Sequence, residues 1–203
     1  MSLAAQPPSR RYTIEEYLRL ENDSSQRHEY HDGEIVAMAG GSPEHSLIIA
    51  NLIGEVRNRL KGGPCRIYDG NLRVRIPRSR YYVYPDATVI CGAVDRDPDD
   101  RSGQSIINPR AVIEVLSPTT EHLDYGKKFR QYIECETLQE YVIVAQHEPR
   151  AESYFRQTDG TWVFTPVAEL TGVLPIRSIQ IELPLADVYA GVVFPPQAES
   201  QVL

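Results

Sequence analysis

Residues 111–116, Ala-Val-Ile-Glu-Val-Leu, constrain the fold of this chain more than any other stretch. A six-residue run rich in β-branched side chains, preceded by Asn108-Pro109 and stopped by Ser117-Pro118, reads as a strand. Side chains alternate along a strand, so Ala111, Ile113 and Val115 share one face and Val112, Glu114 and Leu116 the other. Both faces are apolar except for Glu114, which predicts a strand inside a sheet covered on both sides. An ionised carboxylate in such a place costs several kcal/mol unless it is paired, hydrogen-bonded or on a metal. A salt bridge to an arginine and a bound metal both answer that need.

The surrounding pattern supplies an α/β context. Thr13 is placed to cap a short helix over 13–20, and Asp32-Gly33 turns a hairpin within 27–38. Ser42-Pro43-Glu44 opens a helix with Ile48, Ile49, Leu52, Ile53, Val56 and Leu60 on one stripe, ended by Gly62-Gly63. Strands are expected near 65–76, 81–90 and 140–146, with a helix over 121–135 between the last of these and the Glu114 strand. A hairpin over 150–167 turns at Asp159-Gly160, and a strand and short amphipathic tail follow. At 203 residues, with 41% hydrophobic and 24% charged content, the chain suits one well-cored domain over 1–203, with 1–11 as a flexible N-terminus.

Composition also excludes some functions. No apolar run approaches the ~20 residues that span a bilayer, and the N-terminus lacks a signal-peptide core, so no membrane partner and a cytoplasmic location are expected. The net charge of −7 argues against a protein that coats nucleic acid non-specifically, while leaving room for a local basic groove. The acidic stretch 94–103 reads as a solvated loop. Cys65, Cys91 and Cys135 are odd in number and far apart, which predicts separate buried thiols.

A second acid follows Pro85. Proline cannot donate to a strand ladder, so it marks an edge, a strand start or a bulge, and a distortion there can aim Asp86 out of the sheet. If the Asp86 and Glu114 strands are neighbours, ~4.8 Å apart, the carboxylates converge, and a hard divalent cation relieves their repulsion. In the 121–135 helix, Tyr125, Phe129, Tyr132 and Ile133 form the buried stripe. Lys128 lies at the rim of that stripe and Lys127 points away from it. Lys128 can therefore reach inward, or pair with Asp124 four residues earlier.

Asp86 after Pro85, Glu114 in an apolar strand and a nearby lysine resemble the PD-(D/E)xK nuclease superfamily. More closely, the chain is similar to the Uma family of restriction-endonuclease-like bacterial proteins. The resemblance rests on "YTIEEYLRL", "HEYHDGEIVAMAGGSPEHS", "YPDATVI", "NPRAVIEVLSPTT" with "DYGKKFRQY", and "LQEYVIV", together spanning most of residues 12–146. It implies a restriction-endonuclease-like fold, a central mixed β-sheet flanked by α-helices. It also implies Mg²⁺- or Mn²⁺-dependent hydrolysis of DNA phosphodiester bonds, with Asp86 and Glu114 on the metal and Lys128 assisting. The superfamily's lysine two residues after the acid is here Leu116, and the family resemblance moves that role to Lys128 on the following helix.

By the same resemblance, Glu29 corresponds to an N-terminal acid that adds a metal ligand or positions water; its other reading is a cross-strand charge on a hairpin. His45, on the apolar stripe of its helix, is either a satisfied half-buried histidine or a contact to phosphate or water. Arg73 and Arg75 form one basic strand face, either solvated or following a phosphate backbone. Beside the enzyme stand a binding module that kept the nuclease fold without turnover, and a two-carboxylate hydrolase of another class, which the 8% aromatic content disfavours. A homodimer is the default expectation for a duplex-cleaving enzyme.

Overall fold

The computed structural model describes residues 10–38, 40–116 and 128–195. Glu16 donates its amide to Thr13 Oγ1 and accepts the Thr13 amide in return, a capping box that opens α1 (Ile14–Asp23). Asp32 and Gly33 both take positive φ, 44° and 106°, which closes β1 (His28–His31) onto β2 (Glu34–Ala37). Ser42 Oγ accepts the His45 amide and Pro43 occupies the first turn of α2 (Pro43–Arg59), which buries Ile48, Leu52 and Val56.

Eleven further strands are described: β3 (Cys65–Asp69), β4 (Arg73–Ile76), β5 (Tyr81–Val83), β6 (Ala87–Cys91), β7 (Ser105–Ile106), β8 (Ala111–Leu116), β9 (Glu140–Ala145), β10 (Arg150–Arg156), β11 (Trp162–Ala168), β12 (Val173–Ile176) and β13 (Ile181–Pro184). Residues 128–132 are helical (α3), and α4 (Leu185–Val188) follows β13. The expected central mixed sheet is present. Its order is β11-β10-β9-β8-β6-β3, with β8 and β9 parallel and the other neighbours antiparallel.

Both faces of β8 are covered, as its composition requires. Ala111, Ile113 and Val115 pack with Ile48, Leu52 and Val56 of α2 and with the β12–β13 hairpin. Val112 and Leu116 pack on the opposite side with Val74, Ile76, Val83 and Ile106, and with Tyr132 of α3. Four of those partners belong to a second sheet, ordered β2-β1-β5-β4-β7, which the sequence reading does not anticipate. The expected strand 65–76 is cut by an Asx turn, in which Asp69 Oδ1 accepts the Asn71 amide, and β3 and β4 then join different sheets. The expected strand 81–90 is cut at Tyr84-Pro85-Asp86, where the chain passes from one sheet to the other.

Two expectations lie wholly or partly outside the described residues: the N-terminal turns of the 121–135 helix, including Lys127 and Asp124, and the flexible 1–11 segment apart from Arg10 and Arg11. The cysteines require a correction. Cys65 and Cys91 are directly opposed in the β3–β6 register and form a disulfide, because antiparallel pairing joins positions that 26 residues of chain separate. Cys135 is a buried free thiol, as expected. No helix among the described residues is long and apolar enough to cross a membrane.

Candidate active site

The β6–β8 ladder runs from Val89↔Ala111 to Ala87↔Ile113 and stops. One more step in that register would oppose Asp86 to Glu114, but β6 begins only at Ala87, because Pro85 has no N–H and the chain is already turning toward β5. That departure leaves the backbone N–H and carbonyl of Val115 without a strand partner on this side. Its N–H donates instead to Asp86 Oδ2 at 2.8 Å, and its carbonyl accepts from His45 Nε2 at 3.1 Å. His45 Nε2 also lies 3.4 Å from Asp86 Oδ2.

Glu114 is 5% exposed and points toward the second sheet. Its Oε1 accepts the Tyr132 hydroxyl at 2.8 Å and lies 3.5 Å from Lys128 Nζ. Lys128 thus reaches inward from the helix rim, as its phase predicts. Glu29 approaches from the other sheet: its Oε1 accepts the Tyr84 amide at 3.2 Å and its Oε2 contacts His31 Nε2 at 2.9 Å. The junction between the sheets therefore gathers Asp86, Glu114, Glu29, Lys128 and His45.

The electrostatics follow from that gathering. Burial, with repulsion from Asp86 and Glu29, raises the Glu114 pKa to about 7 against the opposing pull of Lys128 and Tyr132. Burial also opposes ionisation of Glu29, but the His31 hydrogen bond, the Lys128 charge and the Tyr84 amide outweigh it and hold this carboxyl below its usual value. The hydrogen bond to Asp86 raises the His45 pKa against the cost of burial. Among the described residues, no three His, Cys, Asp or Glu side chains lie close enough together to hold a metal ion. The donor chemistry nonetheless fits a hard cation. Asp86 and Glu114 each engage one oxygen, leaving Oδ1 and Oε2 without a hydrogen bond to any described residue.

Arg73 and Arg75 lie elsewhere, and the solvated basic face is corrected. Arg73 is 1% exposed and donates to Ser105, Asn22 and Asp100, while Arg75 donates to Asp97 and Asp99. The acidic stretch 94–103 is correspondingly not a wholly solvated loop, since Asp97 and Asp100 are buried. Tyr132 and His31 join this cluster although their residue types alone point to no site role. Spacing carries a signal for both: Tyr132 is one turn from Lys128 on a helix, and His31 shares a strand face with Glu29.

In fold, the chain is similar to the crystal structure of a "putative nuclease belonging to DUF820" from Anabaena variabilis, with a TM-score of 0.69 and 20% identity over 90% of this chain and 99% of that one. Two uncharacterized proteins of Synechocystis are similar in sequence. One, slr1290, is 37% identical over 92% of this chain and 96% of its own length; the other, sll1609, is 32% identical over 75% and 85%. The model of the Uma2 family, described as "Putative restriction endonuclease", matches residues 14–186, and the chain belongs to that family.

Proposed function

We propose that the protein is a Mg²⁺- or Mn²⁺-dependent endonuclease that hydrolyses DNA phosphodiester bonds. The observation that carries this reading is the meeting of Asp86, Glu114, Glu29 and Lys128 where the two sheets diverge. Asp86 and Glu114 would hold the ion, whose chemistry is to lower the pKa of a bound water and neutralise the scissile phosphate. Lys128 supplies a positive charge at the place where the attacked phosphate gains negative charge. Glu29, ionised and bordering the same acidic cluster, orients the attacking water. Tyr132 fixes the Glu114 carboxylate by its hydroxyl hydrogen bond.

Supercoiled plasmid incubated with the protein and millimolar Mg²⁺ or Mn²⁺ tests the reading, with Asp86→Asn and Glu114→Gln as comparisons. Metal-dependent nicking or linearisation by the parent, lost in both variants, is expected. Calorimetry with Mn²⁺ should show binding to the parent and none to Asp86→Asn. A parent that binds DNA but never cuts it would overturn the enzyme in favour of a nuclease-fold binding module.

A further inference from the structure

We infer that His45 is a positioning residue that fixes the carboxylate of Asp86 while clasping the carbonyl of Val115, the residue whose N–H that carboxylate accepts. Three observations point to it. First, both backbone polar groups of Val115 are held by side chains, its N–H by Asp86 Oδ2 and its carbonyl by His45 Nε2, at the step where β6 has turned away. One nitrogen of His45 spans the Val115 carbonyl and Asp86 Oδ2, at 3.1 and 3.4 Å, so the imidazole, the Val115 backbone and the carboxylate form a closed ring of contacts. A carboxylate held only by a backbone N–H keeps rotational freedom about its side-chain bonds; a second contact removes it.

Second, α2 is anchored so that His45 cannot drift. Ser42 Oγ, which accepts the His45 amide, also accepts from Gln146 Nε2 at 3.0 Å, and the Gln146 amide donates to Leu116 at the end of β8. The N-terminus of α2 is therefore pinned to the ends of β8 and β9, which carry Val115 and its neighbours. Third, the backbone leaves room for the ring. A Cβ on Gly41 would sit 2.6 Å from His45 Nδ1 and 3.2 Å from its Cγ, closer than unbonded atoms approach. Glycine at 41 thus admits the imidazole in the orientation that reaches Asp86.

The role rests on Asp86 being the site carboxylate proposed above, and it has a readout that needs neither DNA nor metal. Exchange of the Val115 amide proton, followed by NMR in metal-free protein, requires breaking its bond to Asp86. In His45→Ala this exchange should accelerate at least ~10-fold, while the Ile143 and Val144 amides of β9 keep their parent rates. His45→Gln, whose amide nitrogen reaches about as far as Nε2, should return Val115 to near the parent rate. Gly41→Ala should reproduce the His45→Ala rate by displacing the ring. Mn²⁺ affinity measured by calorimetry on the same proteins should fall ~10-fold or more in His45→Ala and recover in His45→Gln, the scale seen when a ligand loses its outer support. An unchanged Val115 rate in His45→Ala, or a faster rate that glutamine fails to restore, overturns the positioning role whatever the protein does to DNA. A faster rate restored by glutamine, in a parent that binds no Mn²⁺, upholds the positioning role and removes the nuclease reading instead.

Discussion

Replacing Glu114 by glutamine keeps the shape of the side chain and its acceptor for the Tyr132 hydroxyl, but removes its charge. The folded protein holds the Glu114 proton up to a pH of about 7, whereas the unfolded chain releases it near the ordinary value of 4.5. A group whose pKa rises on folding stabilises the protein fully below its unfolded value, and that contribution is lost as the pH climbs through the folded one. For Glu114 the window is pH 4.5 to about 7, and the gap corresponds to ~3 kcal/mol of stability. In a chain of this size that is a change in melting temperature of roughly 6–12 °C. The assay is thermal and urea denaturation in metal-free buffer at half-unit steps from pH 4.5 to 8, for the parent and Glu114→Gln. The difference between them cancels the titrating groups remote from Glu114, and the part His45 adds has the charge of Glu114 as its source. The parent should lose stability relative to the variant across the window and then level off. A difference equal at pH 5 and pH 8 would refute the reasoning, since Glu114 would then titrate alike in both states.

Lys128→Ala should reduce cleavage by ~10²-fold or more, the scale of one lost electrostatic contact to a transition state, and steady-state kinetics on plasmid checks it. The same variant should shift the pH-dependent loss of stability to higher pH, because Lys128 is the largest influence opposing the Glu114 rise. Tyr132→Phe should destabilise by ~1–3 kcal/mol at pH 8, where Glu114 is ionised and loses a donor, and by less at pH 5. Arg73→Ala should cost ~3–5 kcal/mol in urea denaturation, because Asp100 is left buried without its cation, and should leave Mn²⁺ affinity within twofold.

The Glu114 strand was legible because burial on two faces imprints two interleaved apolar sets, and only one carboxylate interrupts them. Lys128 was legible because helix phase is rigid: it stands one turn before Tyr132, at the rim of the buried stripe, and reaches Glu114 from there. The second sheet was hidden for the opposite reason. Strands β4 and β5 each show the same alternation whichever sheet they join, and the breaks at Gly70 and Pro85 do not say where the chain goes next. Arg73 and Arg75 show how a pattern misleads. Charged residues alternating with Leu72, Val74 and Ile76 look identical whether the charged face meets water or meets Asp97 and Asp100 from a loop about 25 residues on. His45 was placed on the right helix face, but its partner is a backbone carbonyl 70 positions away, a group that every residue offers and none advertises.

The three-residue crossing at Tyr84-Pro85-Asp86 makes the site a fulcrum. Glu29 is carried by one sheet, Glu114 by the other and Asp86 by the crossing itself, so the distances among them depend on the angle at which two slabs of backbone lean together. With packed sheets ~10 Å apart, a tilt of ~5° moves a group at the far layer by ~1 Å. Misplacement of that size can cost a reaction ~10²-fold. The pads that set the angle are Val74, Ile76, Val83 and Ile106 against Val112, Leu116 and Ile143. Swapping one of these for a side chain of different volume should shift the cluster's geometry from a distance, with every carboxylate, lysine and histidine of the cluster still in the sequence.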